Sequence, residues 1–370
     1  MTAVLVEEDP AFLASQLVTC IGNKRALLPL LGQGVKAVRD ELGGRPLRVW
    51  DAFAGSGVVS RFLKQHAALL IASDLEPWAA VAARCHLSNE QDINLPALHA
   101  AHSNMLLAWQ KQPVRDGFVR RLYAPADETA ITTRDRVFYT VENACRLDTF
   151  RQAIGRAPAA LRDLLLAPLL AEASVHANTA GVFKGFYKDR RTGLGRFGGS
   201  HGDALARIRG PVQPGLPVLS RFCCEVQVHQ GDTNALAGRL PELDLAYLDP
   251  PYNQHPYGSN YFMLNLLAEY REPGDVSPVS GIPPGWRRSE YNRRRRAAGA
   301  LAQLLATVPA RRLLVSYSNE GFIGLEEMLD LLAARGEVRV FERRYNAFRG
   351  CRNLRNRARH VTEFLFLAGR

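Results

Sequence analysis

The sequence predicts an α/β fold built around a mainly parallel sheet. Three observations lead there. Strand-like and helical stretches alternate through residues 47–87, and the alternation resumes near residue 222. Two turns, one rich in glycine and one in proline, each follow directly on an apolar strand-like run.

Across residues 23–42, Leu27, Leu28, Leu31, Val35, Val38 and Leu42 recur at three- to four-residue steps, which marks one face of an amphipathic helix ended by Gly43-Gly44. Residues 47–53 read as a buried strand, 58–65 as a helix, 67–73 as a second strand and 77–87 as a second helix. Residues 106–221 lack that rhythm. Within them 138–154 and 159–177 are expected to be helical, and 193–202, with five glycines, to form a mobile loop. Strands follow at 224–229 and 243–248, a helix at 259–270, a strand at 313–318 and a helix at 325–334. Residues 338–341 and 361–367 are expected to close the sheet as an antiparallel pair. The organisation is therefore a core of about residues 1–105 and 222–370, interrupted by an insertion at 106–221.

A chain of 370 residues with 47% hydrophobic content can bury a full core. No apolar run approaches the ~20 residues of a membrane span. Glu7, Glu8 and Asp9 stand where a signal peptide would be basic and then apolar. A cytoplasmic protein without a membrane partner is expected. The six cysteines are far apart or directly adjacent, without the paired spacing of a zinc site, and read as reduced, mostly buried thiols. A net charge of +11 points to a polyanionic partner, because clustered cations gain affinity by releasing counterions from nucleic acid. Only six of the 47 basic residues are Lys, an Arg bias that a genome rich in G and C would also give.

Phe53-Ala54-Gly55-Ser56-Gly57 follows the first strand and opens a helix, where glycines let backbone approach a ligand and leave N–H groups available. Asp74 ends the second strand about 20 residues later, the place of a ribose-binding acid in nucleotide-binding α/β units. A helix cap before Pro77 would also account for it. Asp249-Pro250-Pro251-Tyr252 emerges from the apolar strand 243–248 at the carboxyl edge of the sheet. An exocyclic amine on a base is a poor nucleophile, since its lone pair is delocalised into the ring. A carboxylate on Asp249 and the Pro250 carbonyl can accept its two N–H bonds and localise that pair. Pro250 and Pro251 make a rigid turn, and Tyr252 offers a ring on which a flipped base can stack.

With these motifs the chain resembles the α-group, Dam-like D12 class of DNA amino-methyltransferases, over most of its length outside the insertion. Ile21-Gly22-Asn23-Lys24-Arg25 resembles the amino-terminal cofactor segment of that family, with Lys24 as its basic residue. Asp51 and Phe53 to Gly57 match the glycine-loop motif, Asp74 the ribose acid, Asp249 to Tyr252 the catalytic tetrapeptide, and Asp232 the acid near the cofactor adenine. Cys20 departs from the family, which usually has an aromatic residue there. The resemblance implies a Rossmann-like, seven-stranded class I core that binds S-adenosylmethionine and uses no metal. It further implies a site-specific methyltransferase acting on double-stranded DNA, in some cases beside a cognate restriction endonuclease. The usual target is N6 of adenine; N4 of cytosine fits the same geometry.

The insertion carries the expected recognition surface. Residues 183–191 interleave aromatics with Lys184, Lys188, Arg190 and Arg191, and Arg196 and His201 sit in the glycine loop beside them. Residues 286–296, with Arg293 and Arg294, form a second basic patch. For each of these charges a solvated surface role is the plain alternative. Tyr257, Asn260 and Tyr261 are expected to be buried on their helix. Three rival functions remain. The same fold could act on RNA. A nicotinamide oxidoreductase would want Gly or Ala where Ser60 stands. A regulator that had lost catalysis would not need the intact tetrapeptide.

Overall fold

The computed structural model describes residues 8–22, 24–199, 202–346 and 360–369. Asn23, His201 and Cys351 lie outside them. One seven-stranded sheet runs in the order β3-β2-β1-β4-β5-β7-β6. Its strands are β1 (Leu47–Asp51), β2 (Ala67–Asp74), β3 (Glu225–Gln230), β4 (Leu243–Leu248), β5 (Ala310–Ser318), β6 (Glu337–Asn346) and β7 (His360–Gly369). β1 to β5 are parallel, and β7 slots antiparallel between β5 and β6. Strand order reverses beside β1, where open α/β sheets leave a crevice at the carboxyl ends of their strands.

Near-continuous apolar runs give the central strands β1, β2, β4 and β5 because both faces of the sheet are covered there, whereas the edge strands β3 and β6 alternate apolar with polar residues. On one face Val49, Leu70, Leu245 and Leu314 meet Leu31, Val35 and Val38 of helix Leu28–Glu41. Gly34 lets this helix lie close, for a Cβ there would stand 2.6 Å from Leu314 Cδ1. On the other face Trp50, Ile71, Ala246 and Val315 meet Leu301, Leu304, Met328 and Leu332 of helices Ala297–Thr307 and Leu325–Ala333. A third cluster joins helices Leu95–Lys111, Phe118–Tyr123, Val141–Arg156 and Ala159–Val175 to Trp78 and to Phe262–Leu267.

The sequence expectations meet the structure with local differences. The first helix begins at Leu28 after a tight turn, Arg25–Leu27. The one expected from residue 138 starts at Val141, since Thr140 accepts the Asn143 N–H and caps it. The one expected at 259–270 breaks at Tyr261 into Tyr257–Asn260 and Phe262–Glu269. Helix Leu95–Lys111, capped by Asn94, was not anticipated and runs across residue 105. The glycine-rich stretch is a turn rather than a free loop over 188–195: Lys188 bridges Gly195, and Asp189 Oδ1 accepts the Arg191 and Thr192 N–H groups. The cysteines are less buried than expected. Among the five described, all unpaired, Cys85 and Cys145 are buried and Cys223 is exposed. No described helix is long and apolar enough to cross a membrane.

Candidate active site

A single cavity at the carboxyl edge brings together segments remote in sequence: Cys20 to Gly22 with Lys24, Phe53 to Ser56, Asp74 to Glu76, Asp232, Asp249 to Asn253, Asn260, and Arg287, Ser289, Tyr291 and Asn292. Parallel pairing is what gathers them. Asp51 stands opposite Ala72 and Tyr247, and Asp74 opposite Gln230, so the turns after β1, β2, β3 and β4 open side by side.

At the β1 end, Gly57 has φ +78°, a left-handed conformation that costs glycine little and starts helix Val58–Lys64 at once. Asp74 ties the turn down. Its Oδ2 accepts the Gly55 N–H at 2.8 Å and its Oδ1 the Glu76 N–H at 2.8 Å. The helix cap expected as the plain alternative is not what it makes: Glu76 is the N-cap of helix Pro77–His86 and no side chain caps it, so Asp74 braces the turn ahead of the helix while its half-buried carboxylate lines the cavity. Asp51 and Gly57 are not among the lining residues. Asp51 is fully buried beneath the turn, where Ser60 donates to it at 2.5 Å and burial pushes its carboxyl up to about 7. Asp232 is exposed at the rim and caps Thr233–Ala237 by accepting the Ala235 N–H. Tyr291 packs edge-on against Phe53 at 5.3 Å, which gives this end an aromatic wall.

At the β4 end Asp249, Pro250, Pro251 and Tyr252 all line the cavity. Lys24 does so too, but its ammonium is held between two carboxylates, Glu363 and Asp249, the latter at 3.2 Å. Lys24 is 5% exposed, Glu363 1% and Asp249 17%, so Asp249 is the most open of the three, and Glu363 does not line the cavity. Burial raises the Asp249 carboxyl to about 6 while Lys24 pulls the other way. Burial also works against the Lys24 charge, yet Asp249 and Glu363 hold it well above the ordinary lysine range. The Tyr252 ring lies 5.9 Å from Tyr317, and Lys24 Nζ is 5.7 Å from its centre.

The two basic patches flank the mouth. Lys184 Nζ lies 3.5 Å from Nδ1 of His255, a lining residue. Lys188, over the Phe186 ring, Arg190 and Arg191 are exposed on the turn beyond. Arg196 is half-buried and donates to the Gly199 carbonyl. Phe183, an aromatic of the expected recognition segment 183–191, is instead core, packed against Phe138 and Phe262. Arg293 pairs with Glu290 at 3.4 Å and Arg294 lies over Phe322, beside Asn292, whose side chain donates to the Asn253 carbonyl.

Several site residues escaped the sequence reading. Tyr261 Oη accepts the Ile21 N–H and Tyr257 Oη donates to the Ile21 carbonyl, so two tyrosines fix the amino-terminal segment over the cavity. Glu76, held at about 7 by burial, accepts from Asn265. Glu363 is a lone acid inside the apolar run of β7, the one signal that could have drawn notice to it.

Fold and cavity together define a class I methyltransferase: a seven-stranded sheet with β7 reversed, a glycine turn after β1, an acid at the end of β2 and an Asp-Pro-Pro-Tyr turn after β4. The family model for D12 class N6 adenine-specific DNA methyltransferase matches residues 217–276, the stretch from before β3 through the tetrapeptide and both tyrosines. This match and the relatives that follow make the protein a DNA methyltransferase. It is 27% identical to the Type II methyltransferase M.CviAII of Paramecium bursaria Chlorella virus 1, over 85% of this chain and 88% of that one. It is also 27% identical to the Type II methyltransferase M.NlaIII of Neisseria lactamica, over 86% and 89% respectively. Modification methylase LlaI of Lactococcus lactis subsp. lactis is 26% identical over 89% of this chain and 51% of its own length.

Proposed function

We propose that the protein methylates N6 of adenine within a specific sequence of double-stranded DNA, on a base flipped out of the helix, with S-adenosylmethionine as donor. The observation that carries this reading is the shared cavity: a nucleotide-type end at Asp74, Asp232, Phe53 and Tyr291 is continuous with the Asp249 to Tyr252 turn. The match to an N6 adenine-specific family favours adenine over cytosine N4.

The residues fit the donor. Asp74 keeps lone pairs for ribose hydroxyls beyond its two backbone bonds. Asn260 Oδ1, buried and lining the cavity, has no partner among the described residues and suits a donor group of the ligand. When bound, the sulfonium supplies an activated methyl group. The chain's own part is positioning. The Asp249 carboxylate and the Pro250 carbonyl accept the two amine N–H bonds, which turns the nitrogen lone pair out of the ring, and the Tyr252 ring supports the extruded base. After transfer the nitrogen sheds one proton, and Asp249, with a carboxyl near 6, is the adjacent acceptor.

Residues 106–221 would form the recognition insertion, with Lys184, Lys188, Arg190, Arg191 and Arg196 on phosphates and Arg293 and Arg294 across the mouth. A cognate endonuclease and a cytoplasmic location would follow from a restriction-modification role, which the names of the relatives support. Mass spectrometry of nucleosides from DNA incubated with the protein and S-adenosylmethionine tests the central point. N6-methyl-2′-deoxyadenosine is expected; N4-methyl-2′-deoxycytidine, or no modified nucleoside, would overturn it.

A further inference from the structure

We propose that Glu363 is a positioning residue for methyl transfer, acting through Lys24 to keep the Asp249 carboxylate available to the target amine. The inference rests on the function proposed above and concerns a residue 339 positions from its partner.

The sheet explains how Glu363 reaches the site. β7 runs antiparallel to β5, so its beginning lies at the carboxyl edge of the parallel strands, and Glu363 stands opposite Ser318. Ser316 Oγ donates to Glu363 Oε1 at 2.9 Å, the same oxygen that binds Lys24. A buried carboxylate in an apolar strand is costly unless it is paired, and this one is paired with the buried ammonium that touches the tetrapeptide.

The charges set the role. A lone ammonium 3.2 Å from Asp249 would draw the carboxylate into a full ion pair and weaken it as an acceptor for a neutral amine. A second carboxylate shares that cation. Two acids against one ammonium leave Asp249 electron-rich toward its open face while Lys24 still fixes its orientation. The other groups around Asp249 do not replace this balance. Tyr247 on β4, Tyr257 and Cys20 are kept neutral by burial, Tyr252 faces Lys24, and Asp51 below adds only negative charge.

The test is Glu363→Gln, which keeps a carbonyl acceptor for Lys24 and removes the charge. Two readouts apply: single-turnover methylation of duplex DNA as a function of pH, and titration of the Asp249 carboxyl by carbon NMR of aspartate-labelled protein, assigned with Asp249→Asn. The expected rate at neutral pH is about 10-fold lower, short of the ~100-fold that loss of a direct contact costs. Affinity for S-adenosylmethionine by calorimetry should stay within about two-fold, since no ligand contact is removed. Glu363 favours the protonated form of Asp249, so its removal should move both the Asp249 midpoint and the acid limb of the rate to lower pH. An unmoved midpoint, or a loss of donor affinity that accounts for the whole rate change, would overturn the proposal. Glu363→Asp keeps the charge and must hold the parent midpoint; a shift there overturns it too, and this variant carries the test should Glu363→Gln not fold. The NMR titration needs no turnover, so an inactive parent protein would sink the functional reading and leave the coupling of Glu363 to Asp249 still measurable.

Discussion

At the carboxyl edge of the sheet each acid facing the cavity is held: Asp74 by two backbone N–H groups, Glu76 by Asn265, Asp232 by a helix end, Asp249 by Lys24. On the turn 188–195, Arg190 and Arg191 are exposed and form no ion pair among the described residues. One region spends its polar groups on holding a geometry, and the other leaves its charges to solvent and ligand. A preorganised site loses rate when one contact goes, whereas an exposed patch loses affinity in increments that salt can screen. The two regions should therefore fail in different observables.

The largest effect belongs to Asp249→Ala, expected to lower the single-turnover rate ~100-fold or more while DNA and donor binding persist. The parent rate should also fall as pH drops through about 6, because protonation removes the acceptor. Parent-like rates in the variant would dissolve the contrast, since the sheet edge would then hold no catalytic geometry.

A smaller effect is expected for Asp74→Ala. Loss of a charge-assisted acceptor is worth ~1.5–3 kcal/mol, or roughly 10- to 100-fold in the dissociation constant for S-adenosylmethionine by calorimetry. The variant also releases the Gly55 and Glu76 N–H groups, so thermal stability without ligand should fall with it. A drop in stability with unchanged affinity would leave Asp74 as a brace for the two turns alone.

The sheet was legible because β1, β2, β4 and β5 are apolar runs with buried faces on both sides, and because β3 at one edge and β6 at the other alternate apolar with polar residues. The glycine turn, Asp74 and the tetrapeptide were legible because each lies next to a strand it depends on. What stayed hidden depends on tertiary pairing. Periodicity in β7 shows an inward acid at Glu363, but only the reversed insertion of β7 beside β5 carries it to Lys24. The Tyr257 and Tyr261 clamp on Ile21 joins residues 236 and 240 positions apart, which no local pattern records. Phe183 misled for the converse reason: an aromatic among cations looks like a nucleic-acid contact until a core claims it.

The smallest effects separate the two basic patches from each other. Replacing Lys184, Lys188, Arg190 and Arg191 with Ala should weaken DNA binding and flatten its salt dependence, with a change in log–log slope of up to about 3–4 if each cation neutralises one phosphate. Arg293→Ala with Arg294→Ala should change the slope by about 1 or less. The reason is prior engagement. Arg293 already pairs with Glu290, and Arg294 lies over Phe322 at 5.5 Å, so contact with a phosphate must displace an existing partner or stretch between the two. Arg190 and Arg191 have no such partner among the described residues to give up, and Asp189 beneath them spends its Oδ1 on the turn backbone and on Thr192. Fluorescence anisotropy of labelled duplex over a salt series measures both slopes, with donor affinity as the control for folding. A steeper loss from Arg293 and Arg294 than from the turn would place the phosphate surface on the sheet side of the mouth, and the division of labour between the two regions would have to be redrawn.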